Sequence, residues 1–423
     1  MRRFLYISPY FPPQSRVGAL RPLKFARHLP SFGWAPVVLC DLWKGAALNQ
    51  DLTRAVPDST IVVRDYSRRA RSASATAPTK APTTTAPAGP KRKLPIPEAW
   101  TNPELVPLGE HSIHMPHALA AGRRVLAQTR CEAIMVNADP YAALLVGAQL
   151  AKESGLPLVQ DLRDPWSVCE LRRPRRPAPI RRLVDALERR AFLQSAHVII
   201  NTETALADYR AHYPDFDADR FSCIRNHADP SLIGHGSHPG FDRFTLLFLG
   251  NFRRFLDGGV LLEVLAALRE RGVDPGALQL VVTGEVGAET WEKARSLGVA
   301  DMLIKAPFVA YPQIGPVMAA ADVLMILSNA TRGRIPAKLY DYVQTDRPIV
   351  TVAQNPELRQ LVEQHGGAMF GFDDVGHIAD HIQSLHAAGR TTVERPEAAL
   401  LGSRQASEAL AAILDRVTAE RRI

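Results

Sequence analysis

Short apolar runs alternate with helix-like stretches through almost the whole chain, and that alternation leaves few folds open. The runs "FLYIS", "APVVLC", "CEAIMVN", "PLVQ" and "HVIINT" have strand length. Between them, apolar residues fall at helical spacing, as Leu20, Leu23, Ala26 and Leu29 do. Strands joined through helices cannot pair as hairpins, so the expected sheet is parallel, with ligands outside the carboxyl ends of its strands. Residues 231 to 241 carry Gly, His, Ser and Pro without periodicity and read as a linker. The alternation then resumes with "FTLLFLG", "LQLVVTG", "MLIK", "DVLMIL" and "RPIVTV". The expectation is an α/β protein with two similar halves, residues 1–230 and 242–400. A final helix over 401–423, with Ala, Leu and Ile on one face, is expected to pack back toward the first half.

Composition narrows the function. The 423 residues, 46% of them apolar, suffice for two large cores. No apolar run approaches the roughly 18–20 residues that span a bilayer, and prolines interrupt the first apolar stretch where a signal peptide needs continuity. Cys40, Cys131, Cys169 and Cys223 lie far apart without metal-ligand spacing, which points to reduced thiols and a cytoplasmic protein. Residues 67 to 93, rich in Ala, Pro, Thr and Ser, read as a disordered insertion. The net charge of +8 is concentrated there and in Arg172 to Arg190, which holds eight arginines against Asp185 and Glu188. Without an aromatic-interleaved basic face, nucleic acid is not the expected partner. An anionic membrane surface contacted through Arg172 to Arg190 is, with about 1 kcal/mol for each cation held near it.

The chemistry concentrates in "RGRIPAKLYDYVQTDRPIV", which follows the apolar run Val323 to Leu327. Pro336 is suited to opening a helix, and Arg332, Arg334 and Lys338 surround that opening. Helix-terminal amides and cations together favour phosphate. Asp341, three residues beyond Lys338, adds a carboxylate for sugar hydroxyls on the same face. An ordinary amphipathic helix with solvated charges fits the same residues. Gly18 marks the passage from first strand to first helix, with Arg16, Arg21 and Lys24 around it, as a ligand contact or a plain tight turn. Asp161, Arg163 and Asp164, in "DLRDPW", end another strand as sugar-positioning groups or as a self-satisfied ion pair.

The segments "YISPYFPPQSRVGALRPLKFARHLPSFGW", "GLPLVQDLRDPWS", "FLGNF" and "IPAKLYDYVQTDRPIV" resemble the retaining nucleotide-sugar glycosyltransferases of family 4, in the branch serving bacterial surface polysaccharide, lipopolysaccharide and exopolysaccharide assembly. The resemblance implies a GT-B fold of two facing Rossmann-like domains. It implies transfer of a sugar from a nucleotide-diphosphate donor to a saccharide or lipid-linked acceptor, without cofactor or metal. Gly18 would face the sugar and diphosphate, Asp161, Arg163 and Asp164 the sugar or acceptor, and Asp341 the ribose. The arginine and lysine that many relatives place after "FLG" are Asn251 and Asp257 here, so Arg253 and Arg254 are the candidate substitutes. Gly333 stands where relatives carry a glutamate that contacts the sugar. Two alternatives use the same residues: a non-catalytic partner subunit that has kept the fold, and a nucleotide-sugar epimerase working through His114, His227 or Glu285.

Overall fold

The computed structural model describes residues 1–43, 46–67, 104–138, 140–234, 236–252 and 258–420. Most of the expected disordered insertion, and Arg253, Arg254 and Asp257, lie outside the described residues.

The first half is built on a seven-stranded sheet, β1 (Arg2–Ile7), β2 (Trp34–Cys40), β3 (Ile61–Arg64), β4 (Ala133–Asn137), β5 (Leu158–Leu162), β6 (His197–Ile200) and β7 (Phe221–Cys223). The second half holds six strands, β8 (Phe244–Phe248), β9 (Leu278–Val282), β10 (Leu303–Lys305), β11 (Val323–Ser328), β12 (Ile349–Ala353) and β13 (Ala368–Phe370). The orders are β3-β2-β1-β4-β5-β6-β7 and β10-β9-β8-β11-β12-β13, and every strand pairing is parallel. Each order reverses direction at its centre, between β1 and β4 and between β8 and β11. These are the points where a doubly wound sheet opens a crevice for ligands. Helices cover both faces, which is why β2, β4, β5, β9 and β12 are buried along their full length and read as unbroken apolar runs.

On one face of the first sheet, the helices Met115–Gln128, Ala142–Ser154 and Ala178–Leu193 pack over Val136, Leu158 and Val198. The helix Val17–His28 takes the other face, burying Leu20, Leu23 and Phe25. It shares that layer with the last helix, Ser403–Ala419, whose Leu410, Leu414 and Val417 are buried beside it. Helical periodicity in "ALRPLKFARH" thus marks a real helix, with Pro22 inside it, and Gly33 ends the following turn at φ 83°. One local expectation changes. Pro336 does not open the helix; the helical residues are Lys338–Val343, and Pro336 instead accepts a bond from the amide of Leu339 at 3.1 Å.

Candidate functional site

A cleft of about 660 Å³ separates the halves, and its walls come from loops at the carboxyl ends of both sheets. Ser15, Val17 and Lys24 follow β1, Arg163 and Asp164 follow β5, and Asn201 follows β6. From the second half come Gly250 after β8, Thr283 after β9, Asn329 after β11, and then Arg334, Lys338 and Asp341. The position agrees with the two crevices that the strand orders define.

Lys338 dominates the second wall. Its Nζ donates to the carbonyl of Leu249 at 2.7 Å and lies 3.7 Å from the centroid of the Phe248 ring, with no carboxylate partner among the described residues. Burial pushes its amine down to about 7, so the protein holds there an amine that is charged below neutral pH and lacks a counter-charge. Gly250 faces this amine at ordinary contact distance. Its φ of 126° is open to glycine and strained for other residues, and a Cβ would stand 3.8 Å from that Nζ. Replacing Gly250 with Val is expected to cost roughly 1–3 kcal/mol from backbone strain, read by urea denaturation, and to weaken ligand binding because the branched side chain reaches toward the amine.

One turn along, Asp341 is buried, and burial raises its carboxyl above the usual range. Tyr311 Oη donates to its Oδ1 at 2.7 Å, and Lys24 Nζ approaches to 3.8 Å from the opposite half. Lys24 also donates to the carbonyl of His227 at 2.6 Å. Lys338 and Asp341 therefore share one wall of the cleft, as their spacing implied, while Lys24 and Tyr311 complete the group. Tyr311 gave no local signal, because its partner lies thirty residues on.

Other expected residues separate. Arg163 and Asp164 line the cleft, where Asp164 Oδ1 accepts from Arg334 Nε at 3.1 Å across the two halves. Asp161 does not line it. Its carboxylate is fully buried and held by Arg21 through Nε and Nη2, both at 2.8 Å, with Asn137 Nδ2 at 3.3 Å. Gly18 is buried within the first turn of its helix, and its neighbours Val17 and Leu20 form the wall instead. Arg332 is exposed and pairs with Asp208 rather than entering the cleft.

The halves are clasped beside the cleft. Glu170 accepts from the amides of Thr331 and Arg332 at 3.0 and 3.1 Å and from Thr331 Oγ1 at 2.6 Å. Glu357, from the second half, accepts the amides of Glu203 and Thr204 at 2.9 Å each, at the N-terminus of the helix Glu203–His212, and pairs with Arg225. A carboxylate at a helix N-terminus is favoured by the unpaired amides and the helix dipole. Four side chains, Glu170, Thr331, Arg225 and Glu357, thus fix the two walls relative to each other, none of them identifiable from local sequence.

Two family descriptions match the sequence: "Glycosyltransferase Family 4" over residues 81–232 and "Glycosyl transferases group 1" over residues 243–388. They cover the two halves in turn and together well over half of the chain. The chain belongs to the family 4 glycosyltransferases. No curated protein matches its sequence. Its fold is similar to that of HepE from Anabaena in complex with UDP and glucose, at 15% identity over 98% of this chain and 100% of that one, TM-score 0.61. It is similar to a sucrose-phosphate synthase from Thermosynechococcus elongatus, at 14% identity over 100% and 98%, TM-score 0.59. It is also similar to WaaG, a glycosyltransferase involved in lipopolysaccharide biosynthesis, at 16% identity over 99% and 98%, TM-score 0.56. The two parallel sheets and these neighbours give the GT-B fold.

The residues that stand where the resemblance implies others have local explanations in this glycosyltransferase. Asn251 Oδ1 accepts from the amide of Glu285 at 2.8 Å, and Gly284 passes so close that a Cβ would meet Asn251 Oδ1 at 2.5 Å. Asn251 thus ties the loops after β8 and β9 together. Gly333 adopts φ 67°, the left-handed region that favours glycine, so the loop's shape and the missing carboxylate go together. His227 is buried against Phe25, with Nδ1 bonded to Ser403 Oγ at 2.8 Å, and burial next to Arg21 and Lys24 pulls its ring well below the usual histidine range. Glu285 pairs with Lys305 at 2.8 Å. The sequence run Asp215, Asp217, Asp219 has the Asp-x-Asp spacing that holds a metal in other transferases, but none of the three lines the cleft. Asp215 pairs with Arg189, and Asp217 accepts from the amide of Asp219 at 3.0 Å.

Proposed function

We propose that this glycosyltransferase moves a sugar from a nucleotide-diphosphate sugar to a saccharide or lipid-linked acceptor in cell-surface polysaccharide assembly, with retention at the anomeric carbon and without a metal. The observation that carries the reading is Lys338, a half-buried amine without a counter-charge, standing between Gly250 and Asp341 in the interdomain cleft. A diphosphate seated there gains negative charge as the glycosidic bond breaks. A preoriented cation lowers the barrier because its interaction is stronger in the transition state than in the ground state. Arg334, drawn inward by Asp164, is the second cation of this wall, and Asp341 is the group for a ribose hydroxyl. The neighbour HepE, crystallised with UDP and with UDP-glucose, makes a uridine nucleotide the first donor to try. Arg163 and Asp164, on the opposite wall, are the sugar or acceptor groups. Asp161 supports them from behind by holding Arg21.

A thermal-shift panel of nucleoside diphosphates and nucleotide sugars tests the reading. A ligand at one hundred times its dissociation constant adds about 2.7 kcal/mol to the folded state. Stabilisation by one nucleotide series, lost in Lys338→Ala, is expected. Stabilisation by none of them favours a partner subunit that has kept the fold and lost its donor.

A further inference from the structure

The arginine-rich segment is less available than its composition implies, and two of its remaining arginines, Arg182 and Arg190, share one helix face. Arg173 is bonded to Asp185 at 2.7 Å, Arg176 is buried and donates to the carbonyl of Trp166 at 2.8 Å, and Arg189 pairs with Asp215. The acids of the helix Ala178–Leu193 are also committed. Glu188 is buried, accepting from the hydroxyls of Tyr209 and Tyr213 at 2.8 and 2.9 Å, and Asp185 takes Arg173 and His212. Beyond its first residue, Ala178, what this helix turns outward is Pro179, Arg182, Leu183, Ala186, Arg190 and Leu193, all exposed. At 3.6 residues per turn these six fall within an arc of about 100°. Leu183 is 45% and Leu193 57% exposed, and no acid stands among them.

We infer that this arc is a membrane-docking face whose occupant is an anionic lipid bilayer. A solvated helix face mixes both charge signs; this one carries Arg182, Arg190, Leu183 and Leu193 and no acid, cations and bare apolar groups interspersed as on a helix lying in a bilayer interface. The charge is complementary to anionic headgroups, and the two leucines on the same arc add apolar area that a bilayer interface would receive. The placement also suits the cleft. The connection that runs into this helix begins with Asp164, which lines the cleft, and includes Glu170, which clasps the second half. The segment that carries the arc is thus joined along the chain to the cleft wall assigned to the acceptor. The inference does not depend on which sugar the cleft takes, since vesicle binding is read without turnover.

The test is co-sedimentation of the full chain with vesicles of phosphatidylcholine containing phosphatidylglycerol, and with phosphatidylcholine alone. The variants are Arg182→Ser with Arg190→Ser, and Leu183→Ser with Leu193→Ser. All four positions are exposed, so unchanged thermal melts confirm that the variants fold. The expected result is binding to the anionic vesicles only, weakened about thirtyfold by the arginine pair and roughly tenfold or more by the leucine pair. The inference is overturned if the wild-type chain stays in the supernatant, or if it binds both vesicle types equally. It is equally overturned if the leucine pair sediments like the wild type, since charge elsewhere on the surface then accounts for the adsorption.

Discussion

Replacing Lys338 with Met is expected to lower the affinity for a nucleotide-diphosphate sugar by roughly thirty- to one-hundredfold, the loss of a charge-assisted bond of about 2–3 kcal/mol. Met keeps the apolar stem against Phe248, so the fold is expected to survive. The stronger signature is in the pH profile. With its amine at about 7, Lys338 is charged below neutral pH and meets a diphosphate without first taking up a proton. Above that point the free amine is neutral, and the bound anion must restore its charge. Affinity is therefore highest below pH about 7 and falls by up to about tenfold for each unit above it, until the pH passes the amine's raised value in the complex. A nucleotide sugar, whose diphosphate has no proton to lose near neutrality, isolates the amine. In Lys338→Met the slope should vanish along with the affinity. Isothermal titration calorimetry in buffers of different ionisation enthalpy reads both, as a binding constant and as protons taken up.

The largest effect on stability is expected at Asp161. Removing its carboxylate leaves the Arg21 guanidinium buried without a counter-charge, with the carbonyls of Ile224 and Arg225, at 2.9 and 2.7 Å, and the Phe25 ring at 5.0 Å to compensate it. Breaking a buried pair in this way costs about 3–5 kcal/mol. Asp161→Ala should therefore shift urea unfolding strongly, while the nucleotide affinity of the molecules still folded stays close to that of the wild type. Asp164→Ala is the contrast. Its carboxylate is partly exposed on the cleft wall, so its loss should disturb turnover far more than stability. If Asp161→Ala instead left stability intact and raised the Michaelis constant for the acceptor, the assignment of Asp161 to the scaffold would be wrong.

The comparison of these two aspartates shows where the sequence is informative. "DLRDPW" places both at a strand end, and either is able to face the cleft. What turns Asp161 inward is Arg21, 140 residues away, brought beside it when β1 and β5 join one sheet. The same limit hides Tyr311 behind Asp341, and Glu170 behind Thr331, which lies 161 residues later. The two sheets were legible because a parallel strand covered on both faces must be apolar throughout, and the helices between strands carry their own period. Lys338 and Asp341 were legible because one helical turn sets their relation. The arginine-rich segment misled in part: composition counts charges, whereas Asp185, Asp215 and the carbonyl of Trp166 consume three of its arginines.

The central claim, that the cleft catalyses sugar transfer from a nucleotide-diphosphate donor, is tested most directly by incubating the full chain with radiolabelled UDP-glucose and a panel of other labelled nucleotide sugars. A bacterial lipid-linked saccharide extract serves as acceptor, and label is followed into the organic phase. The proposed transfer requires label from one donor class, an anomeric configuration in the product equal to that of the donor, and loss of transfer in Lys338→Met. Intact nucleotide binding with no transfer from any donor would contradict it, as would a product that is only the epimerised or free sugar.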